Sequence, residues 1–142
     1  MDSHHHVHRY PLISPIVAGV ARDFRIPGIR LYENLGVTSR RFVRIPYGWI
    51  HNAYVRAKGF VTTDRFGSIK YLYSAWYAGR RDWKGTIECM VHPQEVTEDM
   101  PASRRRDMEI LYSDEYAELL GHFELISYGD LLGEGGGGPG RP

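Results

Sequence analysis

Short apolar runs alternate with helical stripes along most of this chain, and that alternation limits the possible folds more than any other feature of the sequence. Asp2 to His8 alternates in a way that suits a strand, with Asp2, His4, His6 and His8 on one face. Ile13, Ile16, Val17, Val20 and Phe24 recur at helical spacing, which predicts a helix over 14–24 with Ser14 as its cap and Pro15 in its first turn. Pro27-Gly28 breaks it, and 28–32 reads as a strand with Ile29 and Leu31 on one side and Arg30 on the other. Residues 33–45 read as irregular. A weaker helix follows over 47–58, with Ile50, Ala53, Tyr54 and Ala57 as its stripe. Phe60 to Thr63 is β-rich, 64–67 reads as a polar turn, and 68–78 suits a helix. Thr86 to Val91 is the clearest strand, two short helices fall over 103–113 and 113–121, and Phe123 to Ser127 reads as a last strand. Strands interleaved with helices predict an α/β fold with a mostly parallel sheet. One domain covers 1–132, and the Gly-rich segment 133–142 has too little apolar content to join a core, so a disordered tail is expected there.

Composition narrows the partners. The 142 residues carry 18 Lys+Arg against 17 Asp+Glu, a net charge of +1, which argues against a nucleic-acid or anionic-membrane binder. A single cysteine, Cys89, excludes an internal disulfide framework and an all-cysteine zinc site. No apolar run reaches the ~20 residues of a membrane helix. The polar, His-rich N-terminus does not read as a secretory signal, so a cytoplasmic location is expected.

Three features carry chemistry. Asp2, His4, His6 and His8 combine a carboxylate with imidazoles, a donor set that binds divalent ions, although a run of histidines near a terminus also fits a purification tag. His92-Pro93 follows a strand, where α/β proteins collect ligands, and an imidazole there suits general acid/base work. Arg30 is placed to bind a carboxylate or the polar part of a substrate. Glu88 lies in an apolar strand and requires a partner. Cys89, on the opposite face, reads as an inert buried thiol.

These segments resemble the YdjC/ChbG-type carbohydrate deacetylases. D-S-H-H-H-V-H at Asp2 to His8 is similar to the family's H-x-D-[SG]-H-x-H-V-H motif. E-C-M-V-H-P at Glu88 to Pro93 is similar to E-x-M-C-H-P, with Val91 in place of the usual cysteine, and E-L-I-S-Y-G-D-L resembles the family's C-terminal segment. The resemblance implies part of a distorted TIM-like (β/α) barrel and hydrolysis of N-acetyl groups on acetylated amino sugars, with a divalent ion, Mg²⁺ ahead of Zn²⁺. By position, His4 matches a metal ligand, Asp2 an active-site aspartate and His92 an acid/base, with His6 and His8 as additional site residues. The family's A-D-D-F-G strand end and its G-x-H-x-x-L motif do not occur in this sequence. A full barrel needs roughly 250 residues, so the resemblance implies the C-terminal half. Such a half would be completed by an upstream segment, by a separately encoded N-terminal half or by homodimerisation. The competing expectation is a non-catalytic metal-binding or dimerisation module on the same fold.

Overall fold

The structure, a computed structural model, describes residues 1–35 and 45–133, without the side chains of residues 4, 5, 45 and 46. Residues 36–44, most of the stretch expected to be irregular, and residues 134–142 of the expected tail lie outside the described residues. A 3₁₀ helix spans His4–Arg9. It is followed by α1 (Ser14–Asp23), α2 (Ile45–Ala57), β1 (Arg65–Ser68), α3 (Ile69–Tyr77), β2 (Ile87–Met90), α4 (Ala102–Leu111), α5 (Asp114–Leu120) and α6 (Tyr128–Leu131). The class is α/β, as the alternation predicts.

The strands β1 and β2 form a parallel ladder with Phe66 opposite Glu88 and Gly67 opposite Cys89. Single bonds extend this layer. Gly28 bridges Val61 in parallel, and Ile29 N–H donates to the Val61 carbonyl at 3.2 Å while Arg30 N–H donates to the Met1 carbonyl at 3.0 Å. Successive N–H groups of an extended segment point to opposite edges, so Met1 and Val61 flank Gly28–Leu31. Among the described residues the layer is one ladder plus these bonds.

Four local expectations change. The first residues form a 3₁₀ helix rather than a strand, because Ser3 captures the backbone: its carbonyl accepts from His6 N–H at 2.8 Å and its Oγ from His8 N–H at 2.9 Å. Residues 64–67 are not a turn. Asp64 Oδ2 accepts from Thr86 N–H at 2.8 Å and from Thr86 Oγ1 at 3.0 Å, which clamps the start of β1 to the start of β2. Gly67 serves close approach: a Cβ there would lie 2.6 Å from Leu35 Cβ. Ser14 does not cap α1; it is the first helical residue and its hydroxyl is engaged with His51. Residues 123–127 pair with no strand among the described residues; Leu125 and Ile126 stay exposed, and Ser127 instead forms a capping box with Asp130.

The two N-terminal helices also face differently from their apolar stripes. In α1 the small Ala18 and Ala21 point inward and pack with Ile29, Val55 and Phe60, while Ile16, Val20 and Phe24 are exposed. Small side chains let the helix backbone approach the extended layer closely. In α2 the buried face is His51, Asn52 and Val55, while Ile50 and Ala53 point outward. Polar residues face inward there because they satisfy an unpaired backbone edge. Asn52 Oδ1 accepts from Tyr32 N–H at 2.7 Å, and Asn52 Nδ2 donates to the Tyr32 carbonyl at 3.2 Å. A second cluster joins Leu35, Leu72, Trp76 and Leu119 behind β1 and β2.

Gly67→Ala forces overpacking against Leu35 and is expected to destabilise the fold by about 1–3 kcal/mol. In urea denaturation, Leu35→Gly, which removes that Cβ, should recover part of that loss in the double variant. Purely additive losses would show that the contact does not govern the site.

Candidate functional site

The functional side chains gather where the N-terminal segment crosses the ends of the extended layer. Ser3 is extended, and the chain then turns tightly, with His6 in the left-handed region at φ 56°. A non-glycine residue held there costs of order 1–3 kcal/mol. This turn brings together groups that a strand would have spread along one face. Asp2 Oδ1 lies 3.3 Å from His6 Nδ1 and 3.3 Å from His8 Nδ1. One ligand atom from each of Asp2, His6 and His8 falls within 4.8 Å of the others. The side chain of His4 lies outside the described ones.

Each charge state has a cause. Burial acts to raise the Asp2 carboxyl, but the Ser3 backbone N–H and the Arg30 guanidinium outweigh it and hold the group below the usual carboxylate range. Burial pushes His8 down to about 4, against the pull of Asp2. Burial also lowers His6, assisted by the nearby Arg9. At neutral pH the centre therefore holds an ionised carboxylate and two neutral imidazoles, the protonation states that metal ligands require. His8 Nε2 is buried and has no hydrogen-bond partner. That orphaned nitrogen and the N₂O donor set fit a divalent ion.

Arg30 points away from Ile29 and Leu31, both fully buried, as the alternation predicts. Its donors are engaged: Nε donates to Glu88 Oε1 at 2.6 Å, Nη1 donates to the Asp2 carboxylate, and the guanidinium lies 4.9 Å from the Phe66 ring centre. Glu88 thus has its required partner, and Tyr128 Oη also donates to its Oε2 at 2.7 Å. Burial, followed by Glu88, raises the Tyr128 hydroxyl above its ordinary value. Cys89 is a protonated thiol pushed up to about 12 by burial and then by Glu88, so the inert reading holds.

His92 follows β2 and lines one cleft with Asp2, Ser3, His6 and Arg30. The fold therefore brings Asp2, His6, Arg30 and His92 to a common opening, with His8 buried behind it. His51 is a member that the sequence pattern does not reveal. Its Nδ1 lies 3.0 Å from Ser14 Oγ and its Nε2 3.2 Å from the Arg30 carbonyl, and its ring meets His8 edge-on at 5.7 Å. Burial lowers its pKa too. No local spacing links residue 51 to residue 8; only the packing of α2 on the extended layer does so.

Fold and site define an α/β protein with a carboxylate–bis-imidazole centre at the end of a short parallel layer. The YdjC-like protein family model matches residues 1–122, and the chain belongs to that family. Family membership points to a carbohydrate deacetylase-type role. No curated protein and no solved structure gives a significant match. Among the described residues no helix is long and apolar enough to cross a membrane.

Acid should destabilise this centre. Unfolded histidine titrates near 6.5, whereas folded His8 titrates near 4. Between those values the unfolded chain binds a proton that folded His8 refuses, so stability falls as pH drops through that window. His6 and His51, also lowered, act in the same direction. Melting curves in chelator-containing buffer should show Tm falling from pH 7 toward the lower limit of the window, with a shallower fall in His8→Gln. Equal slopes in both proteins would refute the burial of a neutral His8.

Proposed function

We propose that this chain acts as a metal-dependent carbohydrate deacetylase domain that hydrolyses N-acetyl groups on acetylated amino sugars. The observation that carries the reading is the convergence of Asp2, His6 and His8 in a chain of the YdjC-like family. These three residues would hold the divalent ion, Mg²⁺ or Zn²⁺, with His4 added by resemblance alone. When bound, the ion supplies polarisation of the acetamide carbonyl and a more acidic water at neutral pH.

The chain's own groups divide the remaining work. Arg30 orients Asp2 and fixes its charge through a direct charge-assisted bond. Ser3 holds His8 by both its backbone N–H and its ring, so the imidazole cannot rotate freely. His92, on the same cleft, acts as the acid/base: it takes a proton from the water as that oxygen bonds to the acyl carbon and delivers it to the amine nitrogen as the C–N bond breaks, leaving acetate and a free amino sugar. With its donors on Asp2 and Glu88, Arg30 contributes to substrate binding chiefly by shaping the cleft wall. In this reading the domain spans 1–132.

Calorimetry with Mg²⁺ and Zn²⁺ should give stoichiometric uptake. Asp2→Asn and His8→Gln should abolish it, and Arg30→Gln should weaken it ~10–100-fold, as loss of a ligand's supporting partner does. Acetate release from N,N′-diacetylchitobiose should require the ion, and His92→Gln should reduce it by about 10²–10⁴-fold. The assay is run on the chain alone and with a polypeptide carrying the D-D-F-G segment. Metal uptake without acetate in either arm would make this a non-catalytic metal-binding module. No metal uptake would overturn the proposal.

A further inference from the structure

The buried carboxylate of Asp107 has no part in the chemistry above. It sits on the inner face of α4 and is 2% exposed. A carboxylate so placed is costly unless paired, and two cationic or potentially cationic groups face it from different directions. Lys70 Nζ, on α3, lies 3.3 Å from its Oδ1, and His92 Nδ1 lies 3.4 Å from its Oδ2. Neither His92 Nδ1 nor Asp107 Oδ1 makes an aligned hydrogen bond. The 3.4 Å separation is one that a small rotation of the imidazole closes, and catalytic hydrogen bonds are often this long without substrate.

We propose that Asp107 is the positioning residue of His92: its carboxylate takes the Nδ1–H of the ring, which leaves Nε2 as the nitrogen that faces the cleft. Three observations support this assignment over a simple tie between helices. Lys70 alone would neutralise Asp107, and it engages only one oxygen. The second oxygen faces the one ring nitrogen that is itself buried. The His92 side chain as a whole is about one third exposed (34%) and lines the opening shared with Asp2 and His6. A histidine anchored at Nδ1 by a buried carboxylate and open at Nε2 has the orientation that proton transfer to a bound substrate needs. Lys70 in turn anchors the carboxylate and donates to the Ser103 carbonyl at 3.3 Å, tying α3 to the start of α4.

The catalytic use of this pair rests on the proposed deacetylase reading, whereas the ring tautomer does not. The test therefore begins with long-range ¹H–¹⁵N spectra of the full metal-free chain at alkaline pH, with His92 assigned through His92→Gln. A free neutral imidazole favours the Nε2–H form. The Nδ1–H form should dominate at His92 in the unmodified protein, persist in Lys70→Met, and give way to Nε2–H in Asp107→Asn. An Nε2–H form in the unmodified protein would overturn the proposal without any variant, even if Asp107→Asn fails to fold. An unchanged tautomer in folded Asp107→Asn would overturn it as well. In the acetate assay, Asp107→Asn should lower kcat by roughly 10²-fold or more with little change in KM, in keeping with loss of an acid/base. Unchanged kcat in a folded variant overturns the positioning role. Absence of acetate from the unmodified protein would count against the deacetylase reading and leave the tautomer result to decide this one.

Discussion

One guanidinium holds the N-terminal segment, the extended layer and the C-terminal region together. Arg30 bonds Asp2 on one side and Glu88 on the other, and Tyr128 adds a hydroxyl to the far oxygen of Glu88. The chain 2–30–88–128 therefore crosses almost the full length of the described sequence. Each member needs the others: without Arg30, Glu88 would be a partly buried carboxylate beside β1, and Asp2 would lose the charge that helps keep it ionised. The site's electrostatics and the fold's closure are in this sense the same interaction.

The layer that carries this interaction is short, and its unpaired backbone edges are satisfied by side chains in place of further strands. Asn52 closes on Tyr32, Asn34 Oδ1 accepts from Phe66 N–H at 2.8 Å, and Asp64 clamps Thr86. Each of these bonds fixes one extended segment against its neighbour where no ladder continues. That is why α2 turns polar groups inward and α1 turns alanines inward. The interior is organised around backbone satisfaction and close approach, and large apolar side chains such as Ile16, Phe24 and Trp49 are left at the surface.

Much of this was legible before the fold was known. Alternation across 28–32 correctly separates Ile29 and Leu31 from Arg30, because a strand's period of two is a backbone property. Glu88 in an apolar strand correctly demands a partner, because unpaired buried charge is costly wherever it lies. The extent of α3 follows from local pattern: a helix over 68–78 is expected and Ile69–Tyr77 is found. The site was legible as a list of residues and illegible as a geometry. Asp2, His6 and His8 meet through a turn set by Ser3 and a left-handed His6, not through the shared face of a strand.

The order of residues alone sets which groups are available: a carboxylate and imidazoles at the N-terminus, a histidine after the E-C-M strand, and one arginine opposite an apolar pair. It also determined the α/β class and the family. Which of those groups meet was settled by the folded packing. Arg30 is 28 residues from Asp2 and 58 from Glu88, Asp107 is buried against residues from other elements, and His51 reaches His8 only through the packing of α2. Local propensity acts over a few residues, whereas pairing of buried charges is settled by whichever segments the core brings into contact.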